Sequence, residues 1–100
     1  MRRATTPTHE YELDINTSII SQIRITYSQD GEIVLTKKDD DVDLVDNVAK
    51  VRLTQQETNL FKADKIVEIQ IRVLTLGNDA PASDIIKIPC ERVLDDEVLE

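Results

Sequence analysis

Residues 66–76 have the sequence IVEIQIRVLTL and form the longest unbroken strand pattern in the chain. One face of this segment is apolar and consists of Val67, Ile69, Ile71 and Val73. The residues between them are polar or charged, and this period of two is typical of a half-buried strand. The β-branched side chains suit a pleated sheet better than a helix. We therefore predict that this segment is a central strand of an antiparallel sheet.

Size and charge limit the classes of protein to which the chain can belong. One hundred residues are enough for one domain with a modest core. Twelve Lys and Arg residues against twenty Asp and Glu give a net charge of -8. Nucleic acid is disfavoured as a partner, because its affinity comes largely from cations that displace counterions. No apolar run approaches the roughly 20 residues that span a bilayer, and the start MRRATTPTHE lacks the apolar segment of a secretory signal. We expect no membrane partner.

Four further segments alternate in the same way. Their predicted inward residues are Tyr11, Leu13 and Ile15, then Ile23, Ile25 and Tyr27, then Val51 and Leu53, and finally Ile86, Ile88 and Cys90. The second segment, about residues 19–28, is expected to form a hairpin with a return strand that ends at Lys38. Asp30-Gly31 lies between them, and Asp-Gly readily adopts the positive φ angles of tight turns. Pro89 cannot donate to a ladder, so the last strand is expected at a sheet edge.

Residues 39–47, DDDVDLVDN, hold a dense cluster of aspartates. Three of these aspartates have the one-three-five spacing of an EF-hand loop. However, Leu44 stands where that loop needs glycine, and Lys50 stands where it needs the bidentate glutamate. Since both diagnostic positions fail, we expect a solvated acidic turn, with no metal and no cofactor.

A single helix is predicted after the strand that ends near Leu53. Thr54 and Glu57 have the spacing of a capping box, in which each side chain accepts a hydrogen bond from the other residue's backbone N–H. We expect the helix to cover about residues 55–62, to place Leu60 and Phe61 toward the sheet, and to cross between two sheets.

The two ends of the chain lack a strand pattern. Residues 1–8 are predicted to form an extended arm that stays idle in the isolated chain, although Arg2 and Arg3 could dock it on a neighbour in an assembly. Residues 9–94 are assigned to the folded domain, and residues 95–100 to a frayed acidic tail.

The sequence offers little that could carry catalysis. His9 is the one histidine, and no serine has the glycine-flanked setting of a nucleophile elbow. Cys90 is expected to be a small buried apolar residue, with an intermolecular bond or a reactive thiol as the alternative. We therefore predict a non-enzymatic protein with no catalytic, cofactor-binding or metal-binding residues. Tyr11, Tyr27 and Phe61 are all predicted to face inward, which weakens a role as a carbohydrate-binding module.

Three stretches of the sequence suggest a family. They are RRATTPTHEYEL, ISQIRITYSQDGEIVL and IVEIQIRVLTLGNDAPASDIIKIPCERVLDDEV. In this order they resemble a group of short prophage-encoded proteins of Gram-positive bacteria with an RR-x-TTPTH start, an IRITY-like strand and a QIRVLT-like strand. The resemblance implies a phage structural protein of the tail or baseplate region, and it supplies no catalytic or ligand residues. A looser likeness, in architecture alone, is to the immunoglobulin-like N-terminal modules of phage baseplate proteins.

These observations lead to one hypothesis about fold and one about function. The fold is expected to be an all-β, antiparallel, immunoglobulin-like β-sandwich of about seven strands with one short helix. The function is expected to be tail or baseplate assembly through contacts with other phage structural proteins, with a homo-oligomer left open. The chain would be made in the host cytoplasm and then enter the virion. Candidate partner contacts are Arg2, Arg3, Arg24 and Arg72. The alternatives are a free cytoplasmic prophage adaptor or regulator that binds a host protein, and a carbohydrate-binding module.

Overall fold

The computed structural model describes residues 1–100. The chain forms seven strands and one α-helix. The strands are β1 (Thr8–Glu12), β2 (Ile20–Gln29), β3 (Glu32–Lys38), β4 (Val42–Val45), β5 (Val48–Arg52), β6 (Lys65–Thr75) and β7 (Ile86–Cys90), and the helix is α1 (Gln55–Thr58). Two short 3-10 turns cover Thr17–Ile19 and Asp39–Asp41. The helix is too short to cross a bilayer.

The strands form two antiparallel sheets. The three-stranded sheet has the order β1-β5-β4, and the four-stranded sheet has the order β3-β2-β6-β7. The predicted all-β sandwich with seven strands and one short helix is confirmed, as are the interior position of β6 and the edge position of β7. In immunoglobulin constant domains the second strand pairs with the first and the fifth, whereas β2 pairs here with β3 and β6. The likeness therefore lies in the size and the two-sheet layout.

The core lies between the two sheets and contains thirteen buried apolar residues. The predicted inward residues of β2, β5 and β6 are all among them. Tyr11, Leu13, Ile15 and Ile88 are partly buried against this core. Ile86 was predicted to face the core and remains 36% exposed. It starts the edge strand, where a second neighbouring strand is missing.

The helix α1 begins as predicted and ends earlier. Thr54 Oγ1 accepts from the Glu57 backbone N–H at 3.1 Å, and Glu57 Oε1 accepts from the Thr54 N–H at 2.8 Å, so the capping box is confirmed. The helix stops at Thr58, because the chain turns there to bury Phe61, which is 1% exposed. The prediction for Leu60 was wrong, since this side chain is 58% exposed.

The acidic segment is only partly a turn. Asp39–Asp41 form the 3-10 turn, but the chain then continues as β4, with Val42 buried. The expectation of a solvated turn throughout was wrong, because Val42 and Leu44 lie on either side of Asp43 and supply the period of two of a strand within the aspartates.

Both ends of the chain contact the folded domain. The Met1 ammonium donates to the Pro89 carbonyl at 2.7 Å, and the Thr5 backbone N–H donates to Thr58 Oγ1 at 3.1 Å. At the other end, the Leu99 N–H donates to Gln55 Oε1 at 2.8 Å. The structure therefore differs from the expectations of an idle arm and a frayed tail, since α1 and β7 offer polar groups that bind both.

Candidate protein-interaction surface

The four arginines proposed as partner contacts fall into two groups. Arg2 forms an ion pair with Glu91, and Arg3 forms one with Asp96 at 3.0 Å. These two side chains hold the ends of the chain together. Arg24 and Arg72 are exposed and lie directly opposite each other on β2 and β6. Only the second pair is thus free to meet a partner without breaking an internal contact.

A third cation extends this pair on the outer face of the four-stranded sheet. Lys38 of β3 lies opposite Arg24, so the register places Lys38, Arg24 and Arg72 side by side across three strands. We call these three residues the basic row. Directly opposite residues have their Cβ atoms about 4.5–5.5 Å apart. The row thus concentrates positive charge on an otherwise acidic chain.

None of the three side chains in the basic row has an ion-pair partner. The six ion pairs of the chain involve other cations, namely Arg2, Arg3, Lys37, Lys50, Lys62 and Lys65. The row borders a hollow of about 240 Å³ whose one carboxylate belongs to Asp39. That carboxylate accepts the backbone N–H of Ile23 at 2.7 Å. Like charges directly opposite each other destabilise a sheet, so the basic row works against folding.

The sequence did not reveal Lys38 as a member of this row. A regular ladder from the Asp30-Gly31 turn would pair Arg24 with Lys37, because Gln29 lies opposite Glu32. A bulge between Tyr27 and Ser28 shifts the register by one residue. The shift places Lys38 beside Arg24 and turns Lys37 to the inner face.

Lys37 instead forms an ion pair within the fold. Its Nζ lies 2.6 Å from Glu57 Oε2, and the two side chains are 10% and 22% exposed. Burial raises the pKa of Glu57, but hydrogen bonds from Lys37 and from the Thr54 backbone outweigh it and lower the pKa overall. This ion pair ties α1 to the inner face of β3.

The aromatic side chains form a polar cluster inside the sandwich. Tyr27 is fully buried, and its hydroxyl lies 2.8 Å from His9 Nδ1 and 3.0 Å from the Tyr11 hydroxyl. It can donate to one neighbour and accept from the other, which satisfies the cluster. Burial raises the pKa of Tyr27 and lowers the pKa of His9. Phe61 is also buried, so only part of Tyr11 is left for stacking on a sugar.

The cysteine is buried, and the acidic side chains form no metal-binding group. Cys90 is 1% exposed, as predicted for a buried apolar residue, and burial raises the pKa of its thiol. No three His, Cys, Asp or Glu side chains are arranged so that they could hold a metal ion. The basic row is an exposed surface whose chemistry suits carboxylates.

Comparisons with known proteins give no match among protein-family models, curated proteins or solved structures. The resemblance to prophage-encoded proteins therefore rests on the three sequence stretches described above.

Proposed function

We propose that the chain is a non-enzymatic structural protein of a phage or prophage particle, which takes part in tail or baseplate assembly through protein–protein contacts. The observation that carries the proposal is the basic row, formed by Lys38, Arg24 and Arg72. These cations repel one another in the isolated chain, and a partner with carboxylates at the same spacing would relieve that repulsion. The phage context comes from the sequence resemblance.

The net charge of -8 makes this row more selective. An acidic partner is repelled by most of the surface and attracted at the row, so it can approach productively in one orientation. Charge complementarity of this kind contributes to specificity and to the rate of association more than to affinity. This suits a subunit that must meet one neighbour among many particle proteins in the host cytoplasm before it enters the virion.

The proposal can be tested in a bacterium that carries the prophage. The chain is tagged, the prophage is induced, and particles purified on a density gradient are analysed by quantitative mass spectrometry. We expect the tagged chain in the particle fraction at a constant ratio to the tail proteins. Arg24→Glu should lower that ratio about tenfold, because each 1.4 kcal/mol of lost binding is a factor of ten.

Arg52→Glu is the matched control, since Arg52 is an exposed arginine of the three-stranded sheet without an ion-pair partner and the change in net charge is the same. This variant should enter particles normally. Recovery of the native chain in the cytoplasmic fraction alone, bound to a host protein, would contradict the proposal and support the adaptor hypothesis.

A further inference from the structure

A cleft opens between the two sheets on the side where β1 is the edge strand. It has a volume of about 270 Å³. Its lining takes apolar side chains from both sheets, including Tyr11, Leu13, Ile15, Ile71, Val73 and Ile86. Small-molecule sites usually occupy roughly 300–1,000 Å³, so this cleft is more suited to a few apolar side chains of a polypeptide.

The backbone of β1 has one side bonded and one side open. β1 pairs with β5 alone. The Leu53 N–H donates to the Pro7 carbonyl at 3.0 Å, and the Leu13 N–H donates to the Asn47 carbonyl at 2.7 Å. Bonded and non-bonded pairs alternate along an antiparallel ladder. The odd-numbered residues of this strand therefore bond to β5, and the even-numbered residues direct their N–H and C=O groups to the open side.

Glu10 and Glu12 consequently offer backbone donors and acceptors beside the cleft. Both residues contribute to its lining, and no backbone hydrogen bond outside the β1–β5 ladder uses them. Their side chains are exposed on the outer face, where Asp14 follows at the same spacing. Lys50 lies 3.5 Å from the Glu10 carboxylate, whereas Glu12 and Asp14 have no ion-pair partner.

We propose that this cleft binds an extended segment of another protein, which adds a strand to β1 and alternates apolar with basic side chains. Residues of the segment opposite Tyr11 would point into the cleft, because an added strand keeps the inward and outward alternation of the sheet. Residues opposite Glu10 and Glu12 would lie on the outer face beside carboxylates. The inference deepens the proposed function and rests on it, since the segment belongs to an assembly partner.

A second copy of the chain is a less suitable occupant. Residues 86–88 of β7 read Ile-Lys-Ile and match the required alternation. However, the edge of β7 is covered at its end, where the Met1 ammonium donates to the Pro89 carbonyl and the Arg3 N–H donates to the Glu91 carbonyl at 3.1 Å. A second copy would have to release this arm before its β7 could pair with β1.

The test uses the full chain, labelled with ¹⁵N, and a blocked seven-residue peptide that alternates valine and lysine. In an NMR titration, the largest amide shifts are expected at Glu10 and Glu12 and at residues that line the cleft. Glu12→Pro removes an outward donor and leaves the β5 ladder intact. It should weaken peptide binding about tenfold, which is the effect of losing one good hydrogen bond.

Three controls keep the result interpretable. The NMR spectrum of the Glu12→Pro variant reports whether this variant is folded. If it is unfolded, the double variant with Glu10→Lys and Glu12→Lys tests the same strand edge through its charge alone. The double variant with Asp40→Lys and Asp43→Lys makes the same change in net charge at the far edge of the three-stranded sheet and should leave binding unchanged. A peptide that alternates valine and glutamate should bind at least about tenfold more weakly.

Two results would overturn the inference. In the first, the peptide shifts amides only on other acidic surfaces, and no β1 variant changes these shifts. The edge glutamates would then serve only to protect the strand from aggregation. In the second, the chain alone dimerises as its concentration rises, and Glu12→Pro abolishes the dimer. The occupant of the cleft would then be a second copy of the chain. Entry into particles without peptide binding would defeat this inference alone, and peptide binding without entry would defeat the proposed function alone.

Discussion

The outer faces of the two sheets each carry a row of three charged side chains in register. The signs alternate along one row and are all positive along the other. On the three-stranded sheet, Glu10, Lys50 and Asp43 alternate as negative, positive and negative. On the four-stranded sheet, the basic row is positive at all three positions. Both rows are exposed to solvent, so their difference does not come from burial.

The difference separates charges that support folding from charges that do not. Opposite charges across strands stabilise a sheet by roughly 0.2–1 kcal/mol, and like charges destabilise it. In the alternating row, Lys50 forms an ion pair with Glu10 at 3.5 Å and lies opposite Asp43 on its other side. The basic row gains nothing from folding. A second contrast lies within β3, where Lys37 is paired inside the sandwich and Lys38 is unpaired outside it.

The largest expected effect comes from breaking the inner pair. Glu57→Ala leaves the ammonium of Lys37 buried without a partner and removes half of the capping box. We expect the free energy of unfolding to fall by about 2–4 kcal/mol, as measured by urea denaturation. Lys38→Ala, the control one residue along, should change it by less than about 0.5 kcal/mol. Equal losses in both variants would contradict the distinction between the two lysines.

The pH dependence of stability checks the same pair. Because the pKa of Glu57 is lowered in the folded chain, its contribution is complete above the unfolded pKa of about 4.5 and is lost as the pH falls through the folded pKa. The native chain should therefore lose more stability than Glu57→Ala between pH 5 and the acid limit. Parallel curves for the two proteins would show that the carboxylate does not contribute.

Much of this fold could be predicted because local and global preferences agree. The alternation in β6, the Asp30-Gly31 turn and the Thr54–Glu57 capping box each need only neighbouring residues, and all three are confirmed. The bulge after Tyr27 could not be predicted from the sequence, because it depends on how β3 packs against the core. Without the bulge, Lys37 would lie beside Arg24 on the outer face and Lys38 would not.

The two ends of the chain show a different limit of sequence reasoning. Arg2 and Arg3 were recognised as cations in a segment without a pattern. Their partners, Glu91 and Asp96, lie almost a whole chain length away. Contacts of this kind follow from the tertiary arrangement, so composition alone suggested a free arm. The cleft beside β1 was missed for the same reason, since it depends on strand order.

A smaller effect is expected from turning the alternating row into a uniform one. Lys50→Glu would place three acidic side chains in register on the three-stranded sheet. We expect a loss of about 1 kcal/mol in the free energy of unfolding at low salt, since surface pairs contribute little individually. The loss should shrink in 1 M salt because screening weakens exposed charges. A loss that is independent of salt would mean that the lysine stem, and not its charge, supports the sheet.

The smallest effect is expected from reversing a charge in the basic row, and it tests directly whether that row contributes to folding. Arg24→Glu converts that row from three like charges to an alternating one, and the free energy of unfolding is measured by urea denaturation at low salt. We expect a gain of about 0.5 kcal/mol, because like charges directly opposite each other destabilise a sheet. A loss of more than about 1 kcal/mol would contradict it, because Arg24 would then be stabilising the chain itself.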